Sequence, residues 1–134
     1  MSLAYAFEPA LTAQEFHDLL VASTLAERRP VNDMARLEKM LRQADIIVTA
    51  RDAGKLVGVS RAISDFSFCC YLSDLAVDVA YQHKGIGRRL IEETSKAAGP
   101  QAGLHLIAAP NAEGYYPKIG MQQVPSCWRI PRAA

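Results

Sequence analysis

The run Leu72-Ser-Asp-Leu-Ala-Val77, followed by Gln82-His-Lys-Gly-Ile-Gly87 and then Arg88-Arg-Leu-Ile-Glu-Glu-Thr94, decides how this chain folds. An apolar strand feeds a short glycine-containing turn, and the turn opens directly into an amphipathic segment. Several backbone N–H groups therefore converge at a helix N-terminus, where the helix dipole also favours negative charge. Such a place binds phosphate. Two familiar phosphate loops do not fit the residues. A dinucleotide fingerprint needs a third glycine where Leu90 stands. A Walker A loop ends in Gly-Lys-Ser/Thr, whereas here Lys84 precedes Gly85 and Arg88 follows Gly87.

What Gln82-x-x-Gly85-x-Gly87 resembles is the pyrophosphate loop of the GCN5-related N-acetyltransferase (GNAT) superfamily, a Gln/Arg-x-x-Gly-x-Gly/Ala turn whose amides hold acetyl-CoA. A second stretch, Asn111-Ala-Glu-Gly-Tyr-Tyr-Pro-Lys-Ile-Gly-Met121, is similar to a later motif of that family. There an Asn precedes a short helix ending Tyr-x-Lys-x-Gly-hydrophobic, and Tyr116, Lys118, Gly120 and Met121 fill those places. The apolar run Leu104-His-Leu-Ile-Ala-Ala109 lies between the two motifs, in the expected order. The resemblance implies an α/β fold with a central, mostly antiparallel mixed sheet flanked by helices, in which two neighbouring parallel strands splay apart. It covers nearly the whole chain.

At 134 residues the chain has room for one core and not for two, so residues 1–134 are read as a single domain. A net charge of +1 leaves no broad basic excess to release counterions from a nucleic acid, and no nucleic-acid partner is expected. Lys84, Arg88 and Arg89 cluster at the turn instead, which suits a small polyanion. Cys69, Cys70 and Cys127 have no metal-ligand spacing, and adjacent cysteines bridge each other only with strain. They read as reduced, mostly buried small residues of a cytoplasmic protein. The N-terminal stretch, interrupted by Glu8 and Pro9, does not read as a signal peptide, and no apolar run is long enough for a membrane span.

Local signals order the elements. Residues 5–7 read as a first strand ended by Pro9. Thr12 and Glu15 form a capping box before a helix carrying Phe16, Leu19 and Leu20 on one face. Asn32 is the expected cap of a second helix with Met34, Leu37, Met40 and Leu41 at helical spacing. The β-branched runs 46–50 and 55–63 flank Arg51-Asp-Ala-Gly54, a legible hairpin. A long strand over 68–77 then leads to the turn, and the next helix runs over 87–98 to Gly99-Pro100. The strand 104–109, the tyrosine-bearing helix and a closing β region over 122–130 complete the order.

The resemblance also implies a site. Acetyl transfer from a thioester to an amine needs a neutral amine, an oriented carbonyl and a proton for the leaving thiolate. By resemblance, the main chain of Leu75, Ala76 and Val77 lines the pantetheine arm, and an N–H there polarises the thioester oxygen. Gln82, His83, Lys84, Gly85, Ile86, Gly87 and Arg88 cradle the pyrophosphate, and Asn111 reaches the amide arm or caps a helix. Tyr116 is the expected general acid: a phenol near pKa ~10 is protonated at neutral pH and close in basicity to a thiol near ~8.5. Tyr115 is expected to point elsewhere. Pro117 requires the tyrosine helix to begin near Gly114 so that the proline falls in its first turn.

No residue reads as a convincing base. Tyr71 and Ser73 occupy the places where relatives carry one, and Asp74 faces the other side of the strand unless a bulge intervenes. His105 is a further candidate, and water relays with Asp74 or Asp65 drawing in a cationic acceptor are another. The expected activity is acetylation of a primary amine, small molecule or peptide, in a ternary complex; the other reading is a non-catalytic acyl-CoA sensor. Residues 25–32 and 64–68 are expected to choose the acceptor, with Phe66 and Phe68 leaning towards an aromatic amine. The resemblance also allows a homodimer through a sheet edge.

Overall fold

In the computed structural model, which describes residues 1–134, five strands form one sheet in the order β1-β2-β3-β4-β5. They are β1 (Leu3–Phe7), β2 (Ile46–Asp52), β3 (Lys55–Ser64), β4 (Cys69–Val77) and β5 (Gly103–His105). The first four pair antiparallel and β4 pairs β5 in parallel, a mixed sheet of the expected kind. Helices α1 (Ala13–Ala22) and α2 (Met34–Arg42) cover one face, α3 (Ile86–Ala98) covers the other, and α4 is the short Tyr115–Lys118.

The β2–β3 hairpin turns at Ala53 and Gly54, both left-handed with φ of 47° and 90°. Such a two-residue turn matches the twist of the strands it joins. Residues Ile46 to Ala50 are buried without interruption because β2 has helices on both sides. Beneath α1 and α2, Phe16, Leu19, Leu20, Leu37 and Leu41 meet Ile47, Val59 and Ala76. Beneath α3, Ile86 and Leu90 meet Val48, Ala50, Val57 and Ala62. Gly58 lets α3 lie close: a Cβ there would stand 3.0 Å from Leu90 and 3.1 Å from Ile86.

Several local readings change. Thr12 caps α1 through the Glu15 amide at 3.1 Å, but the Glu15 carboxylate turns to Arg51 rather than back to the cap. Arg51 also grips Glu8, so one guanidinium ties β2 to both ends of the β1–α1 connection. Asp33, not Asn32, caps α2 by accepting from the Arg36 amide at 3.0 Å. The strand expected over 104–109 pairs only over Gly103–His105, because the chain then leaves β4 and turns at Pro110. The closing β region over 122–130 forms no strand; Pro125 and Pro131 limit ladder donors there, and Trp128 and Ile130 stay exposed.

In β4 the register with β3 slips between Arg61 and Ala62, which pair with Asp74 and Leu72 and leave Ser73 as a bulge. Asp74 beyond it is fully buried on the helix-α2 side, where Arg29 Nε and Arg61 Nε both donate to its carboxylate. Arg29 Nη2 adds a bond to the Ser73 carbonyl at 2.7 Å, and Arg61 Nη2 one to Ser73 Oγ at 3.1 Å. Asp74 is therefore a structural ion, not a base or an acceptor-steering charge. Replacing it by Asn leaves two guanidinium groups without their counter-charge, and Asp74→Asn should lower the free energy of urea unfolding by about 3–5 kcal/mol. An unchanged unfolding midpoint would remove Asp74 from this role.

Candidate functional site

The parting of β4 from β5 creates the site. Pairing between them stops at Tyr71 and His105, while β4 runs on to Val77. On the other side the Asp78 amide donates to the Val57 carbonyl, which fixes the hydrogen-bond phase of the β3–β4 ladder. By antiparallel alternation Leu75 and Val77, opposite Ser60 and Gly58, point their N–H and C=O groups away from β3 and into the gap. Ala76 between them faces Val59 and anchors the edge with its buried methyl. Gln82 crosses from the turn to this edge, its Nε2 donating to the Val77 carbonyl at 3.2 Å.

Beyond the edge lies the turn. The Tyr81 amide bonds Asp78 and the Arg89 amide bonds Gly85; between them no backbone N–H of residues 82–87 has a hydrogen-bonded acceptor in the chain, and the Arg88 amide faces the Tyr115 hydroxyl. Gly85 is left-handed with φ of 82°, and His83 shares that conformation at 63° while remaining exposed. The charges gather less than the sequence suggested. Arg88 pairs with Glu92 at 3.2 Å, and Arg89 pairs with Glu93 at 3.0 Å and lies 4.6 Å over the Tyr5 ring. Lys84 has no carboxylate partner. The turn thus offers amides first and cationic side chains second.

α4 begins after Gly114 with Pro117 in its single turn, as the proline required. Tyr115 and Tyr116 do not diverge: their rings stack with centroids 5.3 Å apart and planes 10° apart. Their hydroxyls nevertheless serve different places. That of Tyr115 lies 3.2 Å from where a Cβ on Gly87 would stand, so Gly87 leaves room for it over the turn. Tyr116 lines a cavity of about 590 Å³ between the Leu25–Arg28 turn, α2, the free edge of β4 and the chain after β5. Burial pushes both phenols up, with the Tyr115 charge adding to the rise at Tyr116 and the Arg88 amide and guanidinium opposing it at Tyr115. Asn111 sits inside the Pro110–Ala112 turn and caps neither that turn nor α4.

Leu75, Tyr71 and Ser73 share the cavity with Tyr116, and of the 25–32 segment Leu25, Glu27, Arg28, Arg29 and Pro30 wall it while Val31 and Asn32 do not. Phe66 and Phe68 do not line it, so the lean towards an aromatic amine loses its basis. His105 faces a separate shallow hollow with Cys69, Cys70 and Asp65; against expectation, only Cys70 of the three cysteines is buried, Cys69 and Cys127 being exposed. Sequence reasoning missed Glu27, the one acidic side chain in the lining, and the arginines around it; they come from segments far apart in the chain, which no spacing rule connects.

The Acetyltransferase (GNAT) domain family matches residues 10–126, and the chain belongs to that acetyltransferase family. GCN5-related N-acetyltransferase 2, chloroplastic, of Arabidopsis thaliana is 32% identical over 73 residues, which is 53% of this chain and 28% of the plant protein. The chain thus matches little more than a quarter of that relative's length. Among solved structures, a protein of unknown function from meticillin-resistant Staphylococcus aureus superposes with a TM-score of 0.82 at 22% identity, over 98% of this chain and 99% of the other. An aminoglycoside acetyltransferase from an uncultured soil metagenome, solved with sisomicin, gives 0.68 at 20% identity over 97% of each. At such identities these two share the fold.

Asp65 supplies a pH-dependent element beside the site. Its carboxylate accepts from the amides of Ser67, Phe68 and Cys69, which hold its pKa down to about 2. Its ordinary value is ~3.9, so the stabilisation of the 65–69 loop is present above about pH 4 and is lost as pH falls through about 2. Amide exchange at Ser67 to Cys69 should accelerate over that range, and in Asp65→Asn the same acceleration should already be present at neutral pH.

Proposed function

We propose that this chain is an acetyl-CoA-dependent N-acetyltransferase that moves an acetyl group to a primary amine by direct attack within a ternary complex. The observation that carries the reading is the run of unengaged amides from 82 to 87 at the start of α3, set beside a strand edge that faces an open gap. Backbone N–H groups exposed without acceptors at the start of a thirteen-residue helix favour a diphosphate. Gly85 and Gly87 keep side chains off the approach, and the edge at Leu75 and Val77 offers an extended pantetheine arm the bonds of an added strand. These residues fit the cofactor.

Acetyl-CoA supplies the activated thioester. The main chain of the β4 edge donates an N–H towards the thioester oxygen and stabilises the charge that develops there. Tyr116, held protonated by its raised pKa, gives its phenolic proton to the sulfur as the carbon–sulfur bond breaks. Glu27, the carboxylate in the same cavity, receives through water the proton that the amine loses as its nitrogen–carbon bond forms. A sensor would need the turn but not an acid and a carboxylate facing one space, and their shared cavity favours turnover.

Tyr116→Phe should lower kcat by about a hundredfold or more while the dissociation constant for acetyl-CoA, read by calorimetry, stays within about twofold. Because burial raises the phenol above its ordinary ~10, the parent should show no alkaline fall in kcat from this group below about pH 10. Unchanged kcat in Tyr116→Phe would remove the acid role, and absence of acetyl-CoA binding by the parent would remove the reading as a whole.

A further inference from the structure

The cavity that holds Tyr116 is lined by six arginines, Arg28, Arg29, Arg36, Arg61, Arg129 and Arg132, against the one acidic side chain of Glu27 and the terminal oxygen of Ala134. Two of the six are committed to structure. Arg29 and Arg61 share Asp74, and their other N–H groups go to the carbonyls of Arg28, Ser73 and Met40 and to Ser73 Oγ. One carboxylate between two guanidinium groups leaves that buried triad with net positive charge beside the cavity. The remaining four are available. Arg28, Arg129 and Arg132 meet no acidic side chain, and Arg36 donates one N–H to the terminal oxygen of Ala134 at 3.4 Å and keeps its other N–H groups. Asp33, next to α2, is engaged with the Arg36 amide, and Glu38 pairs with Arg42.

No residue of the 82–88 turn lines this space, so the arginines lie at the acyl end of the cleft and are not additional ligands for the cofactor's phosphates. A cavity of this charge repels a polyamine or an aminoglycoside, whose several ammonium groups would meet uncompensated guanidinium. An unpaired guanidinium presents a planar fork of donors that matches a carboxylate or phosphate in two parallel bonds. From this we infer that the acceptor is an amine which itself carries an oxyanion, a carboxylate or a phosphate. Arg28 and Arg36 grip that group, with Arg129 and Arg132 beside them, and the amino group is turned towards Tyr116. The inference rests on the acetyltransferase reading and narrows it.

The test begins with acetyl-CoA titration of the parent, which judges the acetyltransferase reading by itself. CoA-saturated protein is then titrated with matched pairs, phenylalanine against phenethylamine and glucosamine 6-phosphate against glucosamine, with spermidine as a polycation. The same compounds are assayed with acetyl-CoA for thiol release. The anionic member of at least one pair should bind and react with a kcat/KM about tenfold or more above its neutral partner, the ratio that a single charge-assisted hydrogen bond supplies. The pair that responds tells carboxylate from phosphate. Arg36→Ala should raise KM for the anionic amine about tenfold with little change in kcat, and Arg28→Glu should narrow the gap to spermidine. Equal or better turnover of the neutral amines or of spermidine would overturn the inference and leave the acetyltransferase reading standing. So would acetyl-CoA binding together with no heat from either anionic amine.

Discussion

A carboxylate with no solvent exposure is stable in the middle of a strand only when charged partners meet it, and Asp74 is met on two sides. Arg61 reaches it from the neighbouring strand, and Arg29 reaches it from the loop that follows the Leu25–Arg28 turn. Three segments far apart in sequence are thereby pinned around the bulge at Ser73. The bulge sets which side of β4 each residue faces from Asp74 onward, and so which groups reach the free edge. The Arg29 bond to the Ser73 carbonyl also draws the loop over the cavity and makes it a wall. Removing the carboxylate would loosen the sheet and this wall together.

What could be read from the sequence follows from how local each cause is. The β2–β3 turn needs two left-handed residues, and Ala53-Gly54 announces it within four positions. The glycine turn before α3 is likewise contiguous, and Pro117 by itself fixes where α4 starts. The cap at α2 was missed by one residue because Asn32 and Asp33 are both good caps, and only the backbone angles at 33 separate them. β5 was overextended because an apolar run reads as a strand whether or not a partner remains beside it. The role of Asp74 and the arginine lining were not legible, since both depend on side chains brought together from distant segments.

On the proposed reading the two ends of the cleft use different chemistry for negative charge. At the turn, fixed backbone dipoles suit an anion that is always the same, because their geometry is set by the fold and loses no side-chain freedom on binding. At the other end, guanidinium groups on flexible stems adapt to anions of differing shape. Tyr115 and Tyr116 mark the boundary. Stacked on each other, they place one hydroxyl over Gly87 and the other in the arginine-lined cavity, so a shift of either ring is felt at both ends.

The same charge bears on the proton that the amine must lose. An ammonium brought near several guanidinium groups is destabilised relative to the neutral amine, and its pKa falls. A lower pKa places more of the acceptor in the form that can attack, before any base touches it. A strong general base is then unnecessary, and the lining holds none beyond Glu27. An oxyanion on the acceptor would keep binding favourable while its nitrogen lies in that field. Placing the carboxylate of Asp74 outside the chemistry and between two arginines preserves the field, because a free carboxylate at that position would cancel it. On this view the ion triad that stabilises the sheet also helps to set the protonation state of the nucleophile.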